Sequence, residues 1–190
     1  MRYDRMVVAY HGCDSSVAER LLSGDPFKPS QNTYDWLGDG IYFWEYGAGR
    51  ALQFAQEQVV RGRVQTPACV GALIQLGKCF DLLDTRFTRE LAAAYEPWSK
   101  RYASEALPLP RNTGQAPDFK LRLLDRSVVN WYLEFADQKE GQRYDTVRCG
   151  FPEGMPIYPG SGILEQTHIQ LMVRNPGCIL GVFRPNKEKA

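Results

Sequence analysis

The stretch WLGDGIYFWE, residues 36–45, decides how the centre of the chain folds. Two glycines flank Asp39, and this spacing predicts a tight turn. The aromatic and β-branched run at residues 41–44 is typical of a buried strand. From Gly47 onward, small and apolar residues recur on one face of an amphipathic helix. The segment therefore predicts a turn, a strand and a helix in that order.

Strands and helices also mix in the remainder of the chain. The N-terminal part predicts a strand over residues 7–10, a turn at His11-Gly12 and a helix capped by residues 14–16. Further strands are predicted at residues 70–76, 79–82, 144–149, 167–173 and 178–183, with helices from about residue 84 and around residues 128–135. A Pro-rich stretch at residues 106–118 predicts a loop. Because strands and helices do not alternate regularly, the pattern favours an α+β fold over a doubly wound sheet.

Length and composition set the broad class. The 190 residues are 44% hydrophobic and 24% charged, which predicts one globular domain over residues 1–190. A net charge of +1 gives no global attraction for nucleic acid or an anionic membrane, although a local basic groove stays open. No apolar run approaches the ~20 residues of a membrane span, and no signal peptide is evident. We therefore expect a cytoplasmic protein without a membrane partner.

The sequence shows little support for a metal site or for a catalytic nucleophile. Five cysteines without a CxxC pair fit reduced thiols, and two histidines are too few for a structural zinc site, so no metal is expected. Residues 47–52 lack the third glycine of a dinucleotide fingerprint, and residues 160–162 lack nucleophile-elbow spacing. Cys13 follows His11 by two residues, so a thiol nucleophile stands beside the alternative of a small buried side chain.

Three segments carry the signal for function: His11-Gly12-Cys13, the GDGIYF stretch at residues 38–43, and THIQLMV at residues 167–173. In these three segments the sequence resembles the ADP-ribosyltransferase superfamily, specifically its poly(ADP-ribose) polymerase-like and diphtheria-toxin-like branch. That branch has a strand-borne His-Gly-Ser/Thr, a GxGIYF segment and a glutamate early in a late strand. Cys13 replaces the hydroxyl residue, and Gln170 stands at the glutamate position. Glu165 lies too early for that register and is an alternative only if the strand begins sooner.

The resemblance implies a split antiparallel β-sheet core with flanking helices, and a transferase that cleaves NAD as its substrate. It implies a macromolecular acceptor, protein or nucleic acid, and a toxin-like or regulatory setting with a regulatory or antitoxin partner. The implied catalytic residues are His11, Tyr42 and Gln170, and the implied NAD-binding residues are His11, Gly12, Cys13, Tyr42 and Phe54.

These residue types suit NAD chemically. Gly12 leaves room for backbone approach to the carboxamide, and the Tyr42 ring offers a face to the cationic pyridinium. His11 can bond a ribose hydroxyl through one nitrogen while a neighbour holds the other. Gln170 can accept the ribose hydrogen bond but supplies no charge, so a noncatalytic NAD or ADP-ribose binding module and an NAD glycohydrolase remain alternatives. The aromatic residues at 42, 43 and 54 are also typical of a core.

Overall fold

The computed structural model describes residues 3–114, 119–139, 141 and 143–186. Within this part the chain forms four α-helices, one seven-stranded sheet and a short two-stranded hairpin. The strands are β1 (Tyr3–Asp14), β2 (Ile41–Glu45), β3 (Pro67–Gly77), β4 (Cys79–Asp81), β5 (Asn112–Thr113), β6 (Leu121–Arg122), β7 (Thr146–Phe151), β8 (His168–Val173) and β9 (Ile179–Phe183). The helices are α1 (Ser15–Leu22), α2 (Ala48–Val60), α3 (Thr85–Ser104) and α4 (Leu123–Asp137). The predicted α+β class is confirmed.

The large sheet has the strand order β4-β7-β8-β2-β1-β3-β9. Every neighbouring pair is antiparallel except β4 with β7, which run parallel. The sheet is thus mostly antiparallel, with one parallel pair at this edge. The parallel pair forms because α3, the β5–β6 hairpin and α4 lie between β4 and β7 in the chain, which allows a crossover to the same edge. Within the described residues, none of the helices is long and apolar enough to cross a membrane.

The first strand is longer than predicted. β1 continues through His11, Gly12 and Cys13 because its ladder with β3 continues there, with Gly12 opposite Cys69. The predicted turn at His11-Gly12 is therefore wrong. The helix predicted next is confirmed, since α1 begins at Ser15 and the Asp14 side chain accepts the backbone N–H of Ser16.

The sheet opens between β1 and β2. These strands pair only at Ala9 with Glu45 and at Tyr10 with Trp44. Beyond that point β1 stays with β3, whereas β2 pairs along its whole length with β8. His11 lies on β1 just past the last pair, so its side chain is at the opening.

Apolar packing holds the two halves of the sheet. One core cluster includes Phe43, Ile74 and Leu171, and another joins Phe80 and Met172 to the helices. α3 and α4 contribute buried side chains to the second cluster, among them Phe87, Val129 and Leu133. Burial of such side chains stabilises the fold by about 1.5–3 kcal/mol each, so the opening beside His11 lies in a well-packed frame.

Candidate functional site

A cavity of about 200 Å³ lies where β1 and β2 separate. We call it the His11 cavity. Its lining residues are His11, Gly12, Lys28, Ser30, Asn32, Tyr34, Asp35, Tyr42, Trp44, Phe54 and Gln170. Five of the six residues singled out from the sequence line it, from β1, β2, α2 and β8. The split of the sheet therefore brings together side chains that are up to 159 positions apart in the chain, from 11 to 170.

The imidazole of His11 has a defined proton arrangement. Its Nδ1 lies 2.8 Å from the carbonyl oxygen of Tyr42, and because a carbonyl only accepts, Nδ1 carries the proton. Nε2 then presents a lone pair. Burial lowers the pKa of His11, so the ring is neutral at pH 7. One nitrogen is thus held by the protein, as the sequence-based role for His11 requires.

Gly12 is required by packing. A Cβ at this position would lie 2.0 Å from the backbone carbonyl oxygen of Ala51 on α2. Because that neighbour is backbone, it cannot rotate away. Gly12 therefore lets α2 lie directly on β1, which also places Phe54 of α2 in the wall of the His11 cavity.

Tyr42 combines a cavity position with a structural bond. Its ring belongs to the core and is 9% exposed. The hydroxyl donates to the carbonyl of Gly38 at 2.7 Å and accepts the N–H of Leu37 at 2.9 Å. Tyr42 thus fixes the glycine turn that the sequence predicted before β2.

We expect Tyr42→Phe to lower the free energy of unfolding by about 1–3 kcal/mol, because it leaves the buried Leu37 N–H and Gly38 carbonyl without their partner. Urea denaturation would measure the change. Tyr158→Phe is the matched control, since Tyr158 is 59% exposed and should show almost no change. Equal stabilities for both variants would contradict this role of the hydroxyl.

Gln170 stands between aromatic side chains. Its Oε1 accepts a hydrogen bond from Trp36 Nε1, which fixes the amide with its NH₂ group as the remaining donor. Across the strands it pairs with Trp44, whose ring lies 4.9 Å from that of Phe54. Trp44 and Phe54 therefore form an aromatic wall next to Gln170.

Asp35 supplies a carboxylate to the cavity. It is 4% exposed, and its Oδ2 accepts the N–H of Asn32 at 2.5 Å. Burial raises its pKa, with hydrogen bonds and Arg126 opposing that shift. Among the described lining residues it is the single acidic side chain.

Two predicted candidates lie elsewhere. Cys13 packs with Ala18, Leu21 and Val70, and burial raises the pKa of its thiol to about 11. The thiol is therefore protonated at neutral pH and is not an activated nucleophile. Glu165 is exposed in the loop before β8, which begins at His168, so the strand does not start early enough to bring this carboxylate to the cavity.

Two further chambers adjoin the His11 cavity. The α1-side chamber, about 300 Å³, shares His11 and Lys28 with it. The His168 chamber, about 130 Å³, shares Tyr34, Trp44, Phe54 and Gln170 with it. In the described part of the chain, no group of three or more His, Cys, Asp or Glu side chains is placed to hold a metal ion.

Comparison with known proteins shows similarity to an archaeal protein. The chain is 27% identical over 198 aligned residues to the uncharacterized protein MJ0359 of Methanocaldococcus jannaschii, covering 94% of this chain and 86% of that protein. No protein-family profile and no solved structure matches the chain. The similarity extends over nearly the whole chain but carries no information on activity.

Sequence reasoning missed Asp35, Trp36 and Trp44 as site residues. Strand alternation was a usable signal for Trp44, because residues two apart on a strand share a face and Tyr42 was already a candidate. Asp35 and Trp36 lie in the loop before β2, where no periodicity reports which way a side chain points.

Proposed function

We propose that this protein is an ADP-ribosyltransferase that cleaves NAD and transfers ADP-ribose to a macromolecular acceptor. The observation that carries the proposal is the convergence of His11, Gly12, Tyr42, Phe54 and Gln170 on one cavity at the split of the sheet. Packing alone does not require the His-Gly, GDGIYF and late-strand segments to meet at a cavity. Their meeting supports the split-sheet architecture of that superfamily.

The lining of the His11 cavity fits the nicotinamide riboside half of NAD. Aromatic faces from Tyr42, Trp44 and Phe54 suit a cationic pyridinium ring. His11 Nε2 can accept a ribose hydroxyl because its Nδ1 is bound to the Tyr42 carbonyl. The neutral state of the ring avoids repulsion between two cations.

The α1-side chamber fits the ADP half. Arg20 and Lys28 line it and can face the diphosphate, and Asp25 can accept ribose hydroxyls. Val17, Leu21 and Phe27 supply an apolar surface for adenine. Because His11 and Lys28 belong to both spaces, one dinucleotide can extend from one to the other.

The chemistry assigned to the cavity is loss of nicotinamide from the ribose. Positive charge develops on the ribose as the glycosidic bond breaks, and a negative group beside it lowers the barrier. Asp35 supplies that charge, whereas the Gln170 amide orients the ribose hydroxyl. Gln170 itself cannot take a proton from an acceptor.

The proposal is tested by nicotinamide release and NAD calorimetry on the wild type and Gln170→Ala. We expect the wild type to bind NAD and release nicotinamide. Gln170→Ala should lower release at saturating NAD by at least ~10-fold, which corresponds to about 1.4 kcal/mol, with a smaller change in affinity. Gln170→Glu should retain or raise release, because the added charge faces the developing cation.

Gln56→Ala is the matched control for this series, since Gln56 is exposed on α2 outside the cavity lining. A wild type that binds NAD without releasing nicotinamide favours the binding-module alternative, which the uncharged Gln170 supports. Release with no ADP-ribose on any acceptor favours the glycohydrolase alternative. A wild type that binds neither NAD nor ADP-ribose overturns all three.

A further inference from the structure

His168 has an unused basic nitrogen beside the His11 cavity. Its side chain is 94% buried, since 6% is exposed. Nδ1 lies 2.7 Å from the carbonyl oxygen of Gln166, so Nδ1 carries the proton and Nε2 the lone pair. Nε2 is buried and has no hydrogen-bond partner among the described residues. A buried acceptor without a donor costs about 1–3 kcal/mol, so it calls for a functional explanation.

The position of His168 connects this nitrogen to the proposed reaction. His168 and Gln170 are two residues apart on β8 and therefore share one face of the sheet. Both line the His168 chamber, whereas only Gln170 also lines the His11 cavity. A molecule in the chamber would thus approach the NAD ribose from the Gln170 side, whereas the α1-side chamber adjoins the His11 cavity at His11 and Lys28.

The chamber walls combine aromatic rings with cations. Tyr34 and Phe54 line it with part-exposed rings, whereas the lining rings of Trp36, Trp44 and Phe151 are at most 7% exposed. Arg61 and Lys120 are exposed lining residues. Arg50 is instead held by Glu153, to which it donates from Nε at 3.2 Å and from Nη2 at 3.1 and 2.8 Å. Aromatic faces with nearby positive charge are the features that bind single-stranded nucleic acid, through base stacking and phosphate contacts.

We propose that the His168 chamber is the acceptor subsite for a nucleotide of a single-stranded nucleic acid, and that His168 Nε2 takes the acceptor's proton. The proposal rests on the proposed function. An oxygen or nitrogen of the nucleotide forms a bond to C1 of the NAD ribose while the bond from C1 to the nicotinamide nitrogen breaks. The electron pair of the broken bond leaves with neutral nicotinamide, and the acceptor's proton moves to Nε2 of His168. The base that Gln170 cannot provide is thereby supplied two residues away.

The charged surroundings set the pH dependence. Burial lowers the pKa of His168, with Arg50 and Arg122 acting in the same direction and Glu153, 3.7 Å from Nδ1, opposing them. Glu57, Arg61 and Lys120 also line the chamber. A base with a lowered pKa is already unprotonated at pH 7. Transfer should therefore be constant near neutrality and fall on acidification through a pKa below 6.5.

The test uses labelled NAD with mixed-sequence single-stranded DNA and RNA oligonucleotides and the full-length wild type, His168→Gln and Thr167→Ala. The amide of His168→Gln can still donate to the Gln166 carbonyl but is not basic. We expect label on an oligonucleotide with the wild type. With His168→Gln the ratio of transfer to nicotinamide release should be at least ~10-fold lower. That ratio should also no longer fall on acidification. Thr167→Ala, at an exposed neighbouring position, should keep the wild-type ratio.

The outcomes separate this inference from the proposed function. A wild-type ratio in folded His168→Gln overturns the role of His168. Label on protein instead of oligonucleotide, or nicotinamide release without label on any oligonucleotide, overturns the nucleic-acid acceptor. Absence of nicotinamide release from the wild type overturns the proposed function together with this inference.

Discussion

Asp35→Asn is expected to lower nicotinamide release at saturating NAD by about 100-fold, or about 2.7 kcal/mol at 1.36 kcal/mol per tenfold. The side chain is buried in the lining of the His11 cavity, where water screens its charge poorly. Removal of one preorganised electrostatic group from such a site typically costs 10²–10³-fold. Asparagine keeps an oxygen that can accept the Asn32 N–H, so the loop geometry is preserved while the charge is removed.

The pH profile gives Asp35 a second signature. Because burial raises its pKa, the carboxylate becomes protonated at a higher pH than an ordinary aspartate when the solution is acidified. The rate of nicotinamide release by the wild type should therefore fall as the pH is lowered. The Asp35→Asn variant should not show this fall. Among its charged neighbours, Arg126 lowers the pKa of Asp35 and Asp39 raises it.

Asp137→Asn is the control for this prediction. The Asp137 carboxylate also pairs with an arginine, Arg174, at 2.6 Å, but it lies on α4 outside the cavity lining. It should leave nicotinamide release within about twofold of the wild type. An Asp35→Asn protein with wild-type release would remove Asp35 from the mechanism.

The sequence was informative where local chemistry and periodicity determine structure. The glycine turn, β2 and α2 follow directly from residues 38–60, and α3 begins at Thr85, next to its predicted start near residue 84. The β1 boundary was wrong because a glycine in a strand looks like a turn signal. What keeps Gly12 extended is its pairing with Cys69 of β3, a tertiary contact that no local pattern reports.

The site was predictable in part for the same reason. Tyr42 and Gln170 lie on strands that the sequence predicted, so motif and strand assignment gave both their identity and their direction. His11 was identified by its motif alone, because the sequence placed it at a turn. Asp35 lies in a loop, and His168 looked like an ordinary strand residue until its tautomer and burial were known. Cys13 was assigned by motif position alone, whereas its neighbours place it in an apolar cluster.

A buried ion-pair network around Arg148 concerns the stability of the sheet rather than the proposed chemistry. Arg148 on β7 is 2.5 Å from Glu45 on β2 and 3.1 Å from Asp81 on β4. All three side chains are at most 10% exposed. Glu45 also lies 3.5 Å from Arg5 on β1. The network therefore ties four strands together at the position where the sheet begins to split.

Arg148→Met should destabilise the fold by about 3–5 kcal/mol, because it leaves two buried carboxylates without their shared cation. Arg5, whose side chain is 51% exposed, can only partly compensate Glu45. Urea denaturation would measure the loss, and Arg148→Met combined with Glu45→Gln and Asp81→Asn should recover part of it, since no buried charge is then unpaired. Arg184→Met is the matched control: its pair with Glu19 is 61% and 60% exposed, so we expect almost no change in the free energy of unfolding. Similar losses for the two arginine variants would show that the buried network contributes no more than a surface ion pair, and that apolar packing alone holds the split sheet around the His11 cavity.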